Sequence, residues 1–183
     1  SELAGLTHGH PTGSLTGGVL AVLILALTDG ASLAEALAAS KAILRTRTDY
    51  SETLSAIEMA EELADSDRPQ EEAILRLGQG WIAEEALAIS IYCALVARNF
   101  KQGVIMAVNH DGDSDSTGAI VGNLLGAMYG AKSIPEQWLE PLELSDVITE
   151  LAEDLYSCMD WQIGEYAENQ ELNERIWQRY PGF

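Results

Sequence analysis

Apolar positions recur at helical spacing along most of this chain, interrupted by short clusters of Gly, Pro, Asp and Ser. After a loop-like lead-in, Leu3 to Pro11, a nearly all-apolar stretch from Ser14 to Leu27 reads as a buried helix closed by Asp29-Gly30. Ser32-Leu33-Ala34-Glu35 has the form of a capping box and opens a helix to about Leu44. Asp49-Tyr50-Ser51-Glu52 leads into a further helix, Thr53 to Leu63, with Ile57, Ala60 and Leu63 along one stripe. A polar break at Asp65 to Pro69 precedes a short helix, Glu71 to Leu77, which stops at Gly78-Gln79-Gly80. Ile82 to Arg98 is apolar nearly all round, with Glu84 and Glu85 well placed against the dipole of a helix start. Gln102 to Val108 fits strand or helix by period alone, and its neighbours favour helix. Gly118 to Tyr129, a start at Ser133-Ile134-Pro135-Glu136, and Leu144 to Tyr156 complete the set. The tail from Met159 to Phe183 is polar and aromatic and receives no assignment. No period-2 strands and no internal repeat occur, so the fold class expected is all-α.

Composition narrows the function. At 183 residues the chain is expected to form a single domain, 1–183, with a sizeable core. Apolar residues reach 47% but aromatics only 7%, so the core is aliphatic, built on Ala, Leu, Ile and Val. A net charge of −19 argues against a nucleic-acid partner, which needs a Lys/Arg surface, and against anionic membranes. The apolar run from Gly17 to Thr28 falls short of the roughly 20 residues of a bilayer crossing. With no leader-like segment, the expected location is cytoplasmic. Cys93 and Cys158 are too few and too unpatterned for a disulfide framework or zinc site, and Cys93 reads as a small core residue.

Asn109-His110-Asp111-Gly112-Asp113-Ser114-Asp115-Ser116-Thr117 carries the candidate chemistry. Three carboxylates with serine and threonine hydroxyls beside them, at the mouth of a helix, are hard oxygen donors of the kind that hold Mg²⁺ or Mn²⁺. Asp111, Asp113 and Asp115 begin like an EF-hand loop, but Ser116 stands where Gly is needed and Gly122 where Glu is needed. One Asp or Ser suffices to cap a helix, an effect of about 1 kcal/mol, which leaves the other carboxylates unexplained. Crowded carboxylates repel, and a cation offsets that repulsion. If the segment is extended, Asp113 and Asp115 point to one side, Ser116 adds a hydroxyl oxygen, and Thr117 is free to cap. Gly118, Gly122, Gly126 and Gly130 then recur every fourth residue. Each interior glycine costs roughly 1 kcal/mol against Ala, an expense that fits a second backbone approaching that face.

With those residues in view, a resemblance emerges. Gly112-Asp113-Ser114-Asp115-Ser116, followed by Gly118 to Gly122 and Gly126-Ala127, resembles the carboxy-terminal signature of the ADP-ribosylglycohydrolases, the dinitrogenase-reductase-activating type being nearest. Leu6-Thr7-His8 with His10-Pro11 is similar to that family's Thr-His element. Leu77 to Trp81, followed by Ala83 to Ala88, is similar to its Gly-x-Gly-aromatic…Glu-Ala helix. The resemblance spans residues 6 to 127.

It implies an orthogonal multi-helix bundle with a cleft that holds two Mg²⁺ or Mn²⁺ ions. The implied activity is hydrolysis of the glycosidic bond joining ADP-ribose to a protein side chain, arginine above all, or to a related ADP-ribosyl compound. The implied partner is therefore an ADP-ribosylated protein or an ADP-ribose-containing small molecule. Asp113, Asp115 and Ser116 match metal ligands, Ser standing where Thr is usual; His8 matches a histidine near ADP-ribose, and Trp81 an aromatic at the cleft edge. Trp81 fits a stacking role or plain core. His10, beside Pro11, reads as an exposed turn residue. His110 and Asp111 are candidates for outer donors that orient the ligating carboxylates, with solvent exposure the alternative for His110. The family's other acidic elements, including a Thr-Asp-Asp run, have no counterpart here. The chain is accordingly expected to be the carboxy-terminal part of a larger domain, with the general base outside it. The competing expectation is an inactive binding or structural homologue of crystallin type, or an incomplete fragment of the enzyme.

Overall fold

The computed structural model describes residues 2–181, and nearly every capped or glycine-closed segment of the sequence becomes a helix in it. The first unit, Ser1–Pro135, contains α1 (Glu2–Gly5), α2 (Pro11–Thr28), α3 (Leu33–Leu44) and α4 (Ser51–Ala64). It continues with α5 (Gln70–Leu77), α6 (Ala83–Val96), α7 (Phe100–Val108) and α8 (Ser114–Tyr129). The second unit, Glu136–Phe183, contains α9 (Glu136–Leu139), α10 (Ser145–Ser157) and α11 (Gln170–Arg179). The described residues are 71% helical in eleven α-helices without a strand, as the all-α expectation requires.

In the first unit α6 is the centre. It is buried without a break from Ala86 to Ala94 and packs against α2, α4, α5, α7 and α8, which is why its sequence is apolar on every side. Ile57 of α4, Ile89 and Ile91 of α6, and Leu124 of α8 are wholly buried, each worth about 1.5–3 kcal/mol of removed apolar surface. Cys93 is buried among them, and burial pushes its thiol up to about 12. The capping box of α3 forms as read: Glu35 N–H donates to Ser32 Oγ (3.3 Å), and Ser32 N–H donates to Glu35 Oε2 (2.8 Å). The 102–108 stretch is helix, because Asn99 caps it by accepting from Gln102 N–H at 2.9 Å.

Three differences from the sequence reading matter for the site. α2 begins at Pro11, not Ser14, with His10 Nδ1 accepting from Thr12 N–H at 3.4 Å, so His10 is a helix cap. At 18 residues and a mean hydropathy of 1.7, α2 is long and apolar enough to cross a membrane by those criteria, and it packs against α3, α6 and α8. α8 begins at Ser114, not Gly118, which puts Asp115 and Ser116 in its first turn. The glycine face of α8 is mostly not a backbone contact: a Cβ on Gly122 or Gly126 would meet nothing within 4 Å, and Gly130 (φ +75°) ends the helix. Gly118 does sit close to a neighbour, 2.5 Å from the Val108 side chain for an added Cβ. The closest approach of α7 to α8 comes instead from Gly103, where a Cβ would lie 2.3 Å from Leu125 Cδ1.

In the second unit the sequence reading missed α11. It is capped by Asn169, which accepts from Leu172 N–H at 3.0 Å. It is tied to α10 by the buried Asp154, which pairs with Arg179 and accepts from Tyr180 Oη at 3.0 Å.

Candidate functional site

Three helix N-termini of the first unit line one cleft of about 880 Å³. α2 contributes Thr12, Gly13 and Thr16; α6 contributes Ala83, Glu84, Ala86 and Leu87; α8 contributes Ser116 and its N-cap Asp113. Each terminus carries partial positive charge and unsatisfied amides, which favours anions. Among the described residues the wall holds no Lys or Arg, so these termini supply its positive potential, and the rings of His8 and His10 add polar edges.

Asp113 is set in place through backbone. Its N–H donates to Gln79 O at 2.8 Å. Gln79 N–H and Gly80 N–H both donate to Glu85 Oε2 at 3.0 Å, so one carboxylate in the first turn of α6 clamps the 78–80 loop from below. The glycines are what make this possible. A Cβ on Gly112 would lie 2.0 Å from Gln79 O, and one on Gly78, already at φ +116°, would lie 2.3 Å from Glu85 Cδ. The sequence reading of Glu85 as a dipole-favoured helix residue misses this clamp, which spans five and six residues back along the chain.

Thr117 is the second anchor. Wholly buried, its Oγ1 donates to Ala107 O at 2.7 Å, with Asp113 O and Ser114 O at 3.1 and 3.3 Å. It is thus a tie between the end of α7 and the start of α8, not a free capping residue. His110 Nε2 lies 2.9 Å from the same Oγ1. Because the hydroxyl proton goes to Ala107 O, Nε2 is the donor, which places the proton on that ring nitrogen. His110 therefore has the Thr117 hydroxyl as its hydrogen-bond partner. Together with Asp111 it lines a separate depression of about 520 Å³ between α5 and α7, behind the Gly78–Gln79 segment.

The acidic group is not an extended strand, so the alternation expected of one does not occur: Asp113 is the N-cap of α8, with φ −74° and ψ 67°, and Asp115 lies within α8. Asp113 and Ser116 meet because residues three apart share a helix face. The Ser116 hydroxyl, then Asp115, the Ser116 amide and the His110 charge hold the Asp113 carboxyl below the usual carboxylate value, against some desolvation. Asp113 nonetheless forms no full side-chain cap bond, so its oxygens keep lone pairs open. No ion pair among the described residues involves Asp113 or Asp115. Two neighbouring carboxylates and a hydroxyl without a basic partner fit a divalent cation in donor chemistry. They supply only part of a shell, since no group of three or more His, Cys, Asp or Glu suited to a metal occurs among the described residues.

His8 and Trp81 come to the same cleft. His8 is exposed, with Nδ1 2.8 Å from Thr7 Oγ1, and Gly13 makes room for it: a Cβ there would lie 2.6 Å from His8 Cβ. Trp81 is 66% exposed at the rim, so it belongs to the cleft and not to the core. Asp115 is exposed beside Asp113. Glu52, Glu84 and His10 also line the cleft, and none of them was singled out from sequence as a site residue. His10 Nε2 lies 3.8 Å from Glu52 Oε2.

The sequence profile described as ADP-ribosylglycohydrolase matches residues 1–164. The ADP-ribosylarginine hydrolase Tri1 of Pseudomonas putida is 32% identical over 72 residues, 39% of this chain and 19% of that protein. The ADP-ribosyl-[dinitrogen reductase] glycohydrolase of Rhodospirillum rubrum is 47% identical over 49 residues, 27% of this chain and 17% of that protein. The ADP-ribosylhydrolase ARH3 of Mus musculus is 29% identical over 107 residues, 52% of this chain and 29% of that protein. The matched stretches thus span less than a third of these relatives' own lengths.

Proposed function

The chain belongs to the ADP-ribosylglycohydrolase family, and on that premise we propose that its cleft binds an ADP-ribosyl group and serves hydrolysis of the bond joining it to an arginine side chain. The observation that carries this reading is the convergence of His8, Trp81, Asp113 and Ser116, from three separate stretches of sequence, on one cleft. The names of two relatives that act on ADP-ribosylarginine and on ADP-ribosyl-dinitrogen reductase support it.

Each residue has a physical part. Trp81 at the rim offers its ring face to the adenine. The N-termini of α2, α6 and α8, with the His8 imidazole, offset the pyrophosphate charge in a protein of net charge −19. Asp113, Asp115 and Ser116 would hold Mg²⁺ or Mn²⁺ through oxygen. When bound, such an ion would supply Lewis-acid charge to the ribose hydroxyls and to an attacking water. Glu85 and Thr117 keep the Asp113 turn fixed so that its oxygens need no rearrangement when the cation enters. No residue of this chain is assigned as general base.

The test is release of ADP-ribose from an ADP-ribosylarginine peptide in the presence of Mn²⁺. Activity is expected to vanish with EDTA and with Asp113→Ala. Undiminished turnover in Asp113→Ala rejects the ligand role. A cleft that binds ADP-ribose without turnover identifies a binding homologue instead.

A further inference from the structure

Glu84 is the one acidic group of the cleft with nothing to do. It stands in the first turn of α6 and lines the cleft, yet no hydrogen bond or ion pair to its side chain exists among the described residues. Its Oε2 is shut off from solvent and has no partner. A buried acceptor left unsatisfied is destabilising, and more so when charged, so a site retains one only where something else completes it. The other carboxylates of the wall are accounted for: Asp113 lies with Ser116 and Asp115, and Glu52 faces His10 at 3.8 Å. Among the described residues no Lys or Arg lines the cleft to balance Glu84. A donor for this carboxylate is therefore absent from the described residues, and a cationic ligand in the cleft would supply one.

ADP-ribose itself brings no cation, only a dianionic pyrophosphate that Glu84 repels. The group joined to it in an arginine adduct does: a guanidinium is a planar fork of N–H donors suited to a carboxylate. We propose that Glu84 is the counter-charge for the substrate guanidinium, and that it selects arginine-linked ADP-ribose over adducts with a neutral linkage. This assignment rests on reading the cleft as an ADP-ribosyl hydrolase site, and it names what that site discriminates.

The experiment compares kcat/KM of the full protein on arginine-linked and serine-linked ADP-ribosyl peptides, for wild type, Glu84→Gln and Glu84→Met, with the affinity for free ADP-ribose and the melting midpoint of each. Glu84→Gln is expected to lower kcat/KM on the arginine adduct roughly 10- to 100-fold, the range of one charge-assisted hydrogen bond. The arginine-over-serine preference falls by the same factor. Glu84→Met, which removes the unpaired acceptor, is expected to melt at or above the wild-type temperature, unlike a residue kept for structure. An unchanged preference in Glu84→Gln overturns the assignment. So does a parallel loss on both adducts and on free ADP-ribose, which would put the carboxylate on ribose hydroxyls. Wild type inert toward both adducts overturns the hydrolase reading, and this one with it.

Discussion

The single hydroxyl of Thr117 faces three backbone carbonyls and one imidazole, while its methyl group packs under Gly80, where an added Cβ would lie 3.2 Å from Cγ2. Replacing it by the equally shaped Val strands the Ala107 carbonyl, which Thr117 binds at 2.7 Å. Thr117→Val is expected to cost about 1–3 kcal/mol in urea unfolding and to reduce turnover through the Asp113 turn. An unchanged midpoint would mean that the hydroxyl carries no structural load. Cys93 offers a test of packing: with its thiol pushed up to about 12 inside α6, it should resist an alkylating reagent at pH 8 until the first unit unfolds. Mass spectrometry of the Cys93 peptide reads this directly. At this scale the sequence announces residues whose type is itself the signal, such as Asp113, Ser116, His8 and Trp81. Thr117, Glu85 and Glu84 stay hidden because their roles depend on partners, or on the lack of them, that only the folded chain defines.

Elements were legible where they are locally determined. The box that starts α3 needs only residues 32 to 35, and both of its bonds form. Ser32→Ala is expected to cost about 1 kcal/mol. Its pH dependence has a definite sign. The Ser32 side chain, and then its backbone, hold Glu35 below the ordinary Glu value. The stability this adds is fully present above the unfolded pKa, and it is lost as pH falls through the lowered folded one. Unfolding curves of wild type and Ser32→Ala should therefore differ at neutral pH and converge in acid; a gap that persists unchanged at low pH contradicts the linkage. α11 was not legible, since its anchor is Asp154 on α10, paired to Arg179 across 25 residues. The glycines of α8 misled for a related reason: spacing alone cannot say which of four equivalent positions meets a neighbour, and among the described residues only Gly118 does so closely.

For the whole molecule, charge sets the terms of binding. With a net charge of −19 and no Lys or Arg lining the cleft among the described residues, an anionic ligand there would have to be gathered by backbone dipoles and, on the proposed reading, by a bound cation. Mn²⁺ at 100 times its Kd is expected to stabilise the folded state by about 2.7 kcal/mol. A scan with and without metal should show the rise in midpoint, and Asp113→Ala should abolish it. Absence of any rise in wild type would remove the cation from the account.

The bond from Asp113 N–H to Gln79 O joins two turns that lie more than thirty residues apart in sequence, with Trp81 two positions beyond the acceptor. On the proposed reading, metal grip and nucleobase grip would thereby be wired in series through backbone. Linkage then demands reciprocity: whatever factor Mn²⁺ adds to ADP-ribose affinity, ADP-ribose must return to Mn²⁺.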